Sequence, residues 1–222
     1  MPELAADYSE LSAQIDEHRN RFGGDHPATA LHLGHISALS AESYQQDHFM
    51  PQDPPGETHT AEYFEELLGR TIDPAGAYGQ SLAELRASRR ELWTQDSLRK
   101  SRLILGSKVV ENTAYPDSPY SAPIHAQQMG VLADQVRGGK TELRITEDDG
   151  PLLEGFSPET AFTVFYRQGQ PAVAYAEPPS GGGEIIEDSR VFDITGAWQE
   201  RWGTSLDQRT SLARVNEAAG RS

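Results

Sequence analysis

The residues best suited to proton chemistry cluster early: His26, His32 and His35 all fall within GGDHPATALHLGH (Gly23–His35), in a chain with seven histidines. Imidazole titrates near neutrality, so one well-placed ring can take or give a proton at physiological pH. On a helix, His32 and His35 project from one side, about one turn apart. Asp25 or His26 beside them, or His48 and His59 from a proline-containing arm, would complete a His/carboxylate metal site or a metal-free acid–base pair. Neither H-E-x-x-H nor the paired E-x-x-H of di-iron bundles is present. No metal and no cofactor is therefore expected, and His32, His35, His48 and His59 stand as the proton-transfer candidates. The plainer reading is favoured: Gly23-Gly24 stops one helix, Asp25 caps the next and Pro27 sits in its first turn.

Other groups suit binding better than catalysis. Arg86, Arg89, Arg90, Arg99, Lys100, Arg102 and Lys108 form a basic island in an acidic chain. Guanidinium forks grip phosphate or carboxylate bidentately, but pairing with the abundant Asp and Glu is the simpler fate of these charges. Phe162, Phe165, Tyr166 and Tyr175 could line an apolar pocket, although alternation along a strand sends some of them into core. PPSGGGEIIED is a hairpin turn and not a phosphate loop, since no Lys-Ser/Thr follows and three acidic residues would repel phosphate. No EF-hand spacing and no G-x-S-x-G elbow is legible.

Composition narrows the partners. The formal charge of −15 opposes binding to nucleic acid or to anionic membrane. The absence of cysteine removes disulfides, thiolate nucleophiles and Cys-ligated zinc. MPELAADYSELSAQ has neither a basic n-region nor an apolar h-region, so a cytoplasmic protein is expected. Hydrophobic residues make up only 36% and mean hydropathy is −0.60, yet the apolar positions are periodic, which predicts a folded chain with polar loops.

The elements that must position these groups follow from periodicity. Leu4, Tyr8, Leu11 and Ile15 mark one helix face, and a second helix runs from Asp25 to about Tyr44. HFMPQDPPGETHT (His48–Thr60) reads as a loop or arm, with Thr60 capping AEYFEELLGR. A helix is predicted from Asp73-Pro74 to Trp93. RLILGSKVV is a strand or a buried helical turn. IHAQQMGVLADQV is a helix stopped at Gly138-Gly139. TELRITE, AFTVFYR, AVAYAE and EIIED read as strands, the middle two joined as a hairpin by QGQP. SRVFDITGAWQERWG and a Ser205-capped LDQRTSLARVNEAA close the chain as helices. The expected fold is α+β, with a helical N-terminal half, a small antiparallel sheet near residues 141–188 and C-terminal helices packed on it. Residues 1–35 form a helical extension to one compact unit, 36–222.

Several strings resemble the C-terminal effector domain of actinobacterial, antitoxin-like XRE-type transcriptional regulators, the WhiJ-like family. They are ALSAESYQQDHFMPQ with THTAEYFEELL, the arginine-rich SLAELRASRRELW, AQQMGVLAD, and the three strands TELRITEDDG, FTVFY and AVAYAE. The similarity covers about residues 36–218. It implies a stand-alone regulatory domain without the helix-turn-helix, not itself DNA-binding, that takes a small molecule or a protein partner between its helical half and its sheet. Tyr63, Arg86, Arg90, Gln128, Phe162, Phe165, Tyr175 and Glu177 are the ligand-binding candidates, and self-association is left open. The alternative is a cofactor-independent enzyme of specialised metabolism, using a His/carboxylate pair for cyclisation, elimination or isomerisation.

Overall fold

A computed structural model describes residues 36, 38–69, 100–117, 119–179 and 183–221. The expected N-terminal helix, most of the helix from Asp25, the helix from Asp73, and His32, His35, Arg86, Arg89, Arg90 and Arg99 lie outside the described residues.

The architecture is α+β. Helical residues 38–42 lead into β1 (Ser43–Met50), followed by a 3-10 turn (Gly56–Thr58) and α1 (Ala61–Leu68). Next come β2 (Lys100–Gly106), the one-turn helix α2 (Ser107–Val110), α3 (Ala122–Arg137) and β3 (Thr141–Thr146). β4 (Ala161–Arg167), β5 (Val173–Glu177), β6 (Glu184–Ile186), α4 (Arg190–Thr204) and α5 (Gln208–Ala218) complete the chain.

The strands form one six-stranded sheet in the order β3-β2-β1-β4-β5-β6. β1, β2 and β3 are mutually parallel, whereas β4 pairs antiparallel with β1, β5 with β4 and β6 with β5. This corrects the expectation of a small antiparallel sheet over 141–188. Parallel neighbours need a crossover rather than a tight turn, and α3 supplies the one between β2 and β3. The sheet also starts earlier: the helix expected to reach Tyr44 gives way to strand at Ser43, and His48–Met50 belong to β1 rather than to a loop. RLILGSKVV is both of its two alternatives, strand to Gly106 and helical turn from Ser107.

Pleating sorts the side chains into two buried faces, because successive residues of a strand point to opposite sides. One face carries Phe49, Ile104, Phe162, Val164, Ala174, Ala176 and Ile186 against Val191, Ile194 and Trp198 of α4. The other carries Leu103, Leu105, Leu143 and Ile145 against Met129, Leu132, Ala133 and Val136 of α3 and Val215 of α5. Further along that second face, Phe165, Val173 and Tyr175 pack on Ile36 and Leu39. Tyr44 is the extra residue of a bulge, where Ser43 and Gln45 oppose the adjacent pair Arg167 and Tyr166, and it is turned outward.

The first face holds a buried ion pair. Asp47 is fully buried, and Arg102, its register partner on β2, donates from Nε to Asp47 Oδ1 at 2.7 Å and from Nη2 to Oδ2. The Arg102 guanidinium lies 4.4 Å from the Trp198 ring centroid, and Trp198 stacks on Trp202 at 4.9 Å. Trp198 Nε1 donates to the His48 carbonyl at 3.0 Å, tying α4 to β1. Burial and the nearby Asp47 carboxylate push the Tyr166 phenol well above its ordinary range. At the far end of α4, Arg201 donates to the carbonyls of Asp148 (2.8 Å) and Pro151 (3.2 Å), pinning the chain after β3.

Candidate functional site

Two groups of sequence-flagged residues come together, and hydrogen-bond satisfaction separates their roles. Buried polar atoms with partners hold a fold together, and those without partners call for another explanation.

The first group is the arm between β1 and α1. Thr60 caps α1 by accepting from the Tyr63 N–H at 3.1 Å, as the sequence predicts. Gln128 of α3 grips the arm twice, with Oε1 accepting from the Thr60 N–H at 2.8 Å and Nε2 donating to the Thr58 carbonyl at 3.1 Å. Tyr63 and Tyr120 both donate to Asp53 Oδ1, at 2.8 and 2.6 Å, and Tyr115 donates to Oδ2. The rings of Tyr63 and Tyr120 stack at 4.0 Å, with His59 tilted on Tyr63 at 4.9 Å. Burial, followed by the Asp53 charge, drives both phenols far above their ordinary range, so they stay protonated as donors.

Asn112 positions Tyr120. Its φ of 58° lies in the left-handed region, which Asn tolerates, and its side chain exchanges hydrogen bonds with the Tyr120 backbone at 2.7 and 2.9 Å. His59 Nε2 pairs with the Pro54 carbonyl at 2.8 Å. Gln128, Tyr63 and His59 thus form an internally bonded clasp around the arm, a structural use of residues the sequence marks for binding or catalysis.

The second group lies on the α3 side of the sheet, where the parallel strands β2 and β3 begin. Register places Thr141, Ser101 and Gln46 side by side on β3, β2 and β1, continuing to Phe165 and Val173. The next row in the same sense is Leu143, Leu103, His48, Thr163 and Tyr175. Gln46, Ser101 and Thr141 are 1%, 1% and 2% exposed, yet Gln46 Oε1, Ser101 Oγ and Thr141 Oγ1 have no hydrogen-bond partner. Ser40 Oγ, in the helical residues before β1, is likewise unpartnered, while its carbonyl accepts from Gln46 Nε2 at 3.4 Å. His48, one row on, has Nδ1 3.2 Å from Thr163 Oγ1.

The remaining candidates are placed as follows. Phe165 and Tyr175 share the second face, but Phe162 lies on the opposite one, where it meets Phe156 edge-on at 5.0 Å. These three do not line one pocket. Glu177 ends β5 opposite Ala161 and is exposed. Of the basic island, Arg102 pairs with Asp47, Lys100 with Glu142 at 3.1 Å and Lys108 with Asp149 at 3.0 Å, which is the acid-pairing fate. Among the described residues no group of three or more His, Cys, Asp or Glu is placed to hold a metal ion. Nor is any described helix long and apolar enough to cross a membrane.

Sequence reasoning singled out His48, Phe165 and Tyr175 in this neighbourhood but not Gln46, Ser101 or Thr141. Their signal was present: small polar residues stand where strand alternation calls for apolar ones, as in S-R-L-I-L and T-E-L-R-I, whose other positions on that side are Leu and Ile.

A cavity of about 400 Å³ also opens between the end of β3 and α4, lined by residues including Thr146, Asp148, Glu200 and Arg201. Arg201, the cation among the described lining residues, is already committed to the backbone carbonyls described above and to Asp148.

No curated protein matches the sequence. Residues 33–217, which take in the whole sheet and all but the last residue of α5, match the family described as DUF5753, a domain of unknown function, and the chain belongs to that family.

Proposed function

We propose that this chain carries a ligand-binding regulatory domain, of the kind found as the effector domain of WhiJ-like regulators, which takes a small molecule over Gln46, Ser101 and Thr141. One observation carries the reading: three register-paired strands bury three polar side-chain atoms with nothing to bond to. Each such atom costs roughly 1–3 kcal/mol when left unpaired, a large share of a marginal total. A bound molecule that supplies the partners recovers that cost. A protein partner fits less well, because these atoms are buried beneath the surface.

The charge of −15 supports a domain that does not itself contact nucleic acid or an anionic membrane. The alternative of a cofactor-independent acid–base enzyme has less support. Asp47, the carboxylate next to His48 in sequence, is turned to the opposite face of the sheet and bonded to Arg102.

Native mass spectrometry after incubation with a small-molecule cell extract tests the proposal. Wild type should retain an adduct of small-molecule mass, and the folded double variant Ser101→Ala/Thr141→Val should lose it. No adduct on wild type, or the same adduct on both proteins, overturns the reading.

A further inference from the structure

We propose that the cavity between the end of β3 and α4 is a separate site for a small organic cation: a protonated primary amine on a short apolar body, with a neutral hydrogen-bond acceptor beside the amine. It lies at the opposite end of β3 from Thr141 and does not depend on the site proposed above.

The first argument is space and place. The void measures about 400 Å³, within the range of roughly 300–1,000 Å³ that small-molecule sites occupy. It opens at the carboxyl end of β3, which runs parallel to β2, and carboxyl ends of parallel strands are where open sheets gather ligands. Leu152, Ala197 and Leu206 give it an apolar wall.

The second argument is hydrogen-bond polarity. Thr146 closes β3, lines the cavity and is 4% exposed. Its Oγ1 accepts from the Asp148 N–H at 3.2 Å, and its own hydroxyl hydrogen has no acceptor among the described residues. A hydroxyl donates one hydrogen bond, so a ligand acceptor completes it.

The third argument is charge. The described lining sets Glu147, Asp148 and Glu200 against one guanidinium, Arg201. Arg201 is spent on the carbonyls of Asp148 and Pro151 and on the Asp148 carboxylate at 3.0 Å, which leaves it no anion to bind. At the mouth, Glu147 pairs with Arg214 at 2.8 Å and Asp149 with Lys108 at 3.0 Å. Glu200 forms no ion pair with any described residue. An ammonium there meets a carboxylate without a competing cation, and the charge of −15 draws cations toward the chain. The carboxylates stand on both walls, and among the described residues no three acidic or histidine groups converge to hold a metal ion, so the fit is to an organic cation.

Three probes of one skeleton separate the claims: phenylalaninol (ammonium and hydroxyl), 3-phenyl-1-propanol (no ammonium) and 2-phenylethylamine (no hydroxyl). Affinities are read by ligand-observed NMR titration. On wild type, phenylalaninol should bind about fivefold more tightly than 3-phenyl-1-propanol, a difference of about 1 kcal/mol. Glu200→Gln should erase that preference. Glu187→Gln removes the same charge beyond β6, five strand spacings or roughly 24 Å across the sheet, and should keep it. Thr146→Val should weaken phenylalaninol about threefold and leave 2-phenylethylamine unchanged. Glu200 is exposed on α4, so its variant tests the site should Thr146→Val not fold. Equal binding of phenylalaninol and 3-phenyl-1-propanol, or binding of neither, overturns the cation site. So does a preference that Glu200→Gln retains, or one that Glu187→Gln loses as fully, which marks general attraction to an acidic chain. Thr146→Val binding all three probes as wild type does overturns the acceptor beside the amine. Ser101→Ala/Thr141→Val should bind phenylalaninol as wild type does; loss there would move the probe to the other site and overturn this one.

Discussion

Removing Arg102 takes the counter-ion from a carboxylate that has no exposure to solvent and leaves it neutral donors such as Gln45 Nε2 at 3.1 Å. Asp47 is fully buried, and its bidentate partner is the guanidinium lying over Trp198 at 4.4 Å. Breaking a buried pair by deleting one partner costs about 3–5 kcal/mol, because the remaining charge stays desolvated. Loss of the cation–π contact adds about 0.5–2 kcal/mol. Arg102→Met keeps much of the apolar stem packed on Trp198, so a net loss of about 4 kcal/mol is expected. That is a large fraction of the roughly 5–15 kcal/mol that holds a domain folded. Asp47→Asn combined with Arg102→Met leaves no buried charge and should recover about 2 kcal/mol relative to Arg102→Met alone. Urea unfolding followed by tryptophan fluorescence suits the test, since Trp198 is fully buried against the pair. An Arg102→Met loss under 1 kcal/mol, or strict additivity in the cycle, would refute the argument that the pair is desolvated and mutually dependent.

Other perturbations address the arm and a buried histidine. Gln128→Leu strands the Thr60 N–H and the Thr58 carbonyl and should cost about 2–4 kcal/mol, with faster amide exchange confined to residues 54–60; unchanged exchange there would contradict the clasp. Tyr63→Phe removes one donor from the Asp53 carboxylate and should cost about 1.5–3 kcal/mol by urea denaturation, whereas a neutral result would mean that Asp53 does not need it. His125 is buried with Nε2 2.8 Å from the Val109 carbonyl, and desolvation lowers its pKa. The unfolded chain therefore binds the proton more readily: this contribution to stability is complete above the unfolded value near 6.5 and is lost as pH falls below it toward the lower folded value. Stability should fall between pH 7 and pH 5 more steeply in wild type than in His125→Gln, and parallel profiles would sink that assignment.

The legibility of the sequence tracked its hydrophobic periodicity. AFTVFYR and AVAYAE read correctly as a hairpin because their apolar and aromatic residues contrast with the QGQP turn between them. IHAQQMGVLADQV reads correctly because helical spacing collects Met129, Leu132, Ala133 and Val136 on one side. β1 did not, since YQQDHF carries polar residues to both faces: Asp47 is neutralised by Arg102 on one, while Gln46 and His48 lie on the other. A strand whose polar residues are compensated by partners distant in sequence shows no alternation until those partners are known. The parallel order of β1, β2 and β3 was hidden for the same reason, as it depends on long-range register. Cap identity also moved slightly: Asp207, not Ser205, caps the last helix by accepting from the Thr210 N–H at 3.0 Å. The candidate site was least legible of all. Its mark is three small or neutral polar side chains without partners, and absence of a partner is a property of the fold alone.

That property gives the most direct test. If the Thr141 hydroxyl awaits a ligand, Thr141→Val should stabilise the ligand-free protein by about 1 kcal/mol, as a similarly shaped apolar group replaces an unpaired buried hydroxyl. For a domain of this size the melting temperature would rise by about 2–4 °C, while retention of the small-molecule adduct in native mass spectrometry is lost. A variant that is more stable and ligand-free is the predicted result. A variant that melts lower, or that is stabilised and still retains the adduct, would contradict the account.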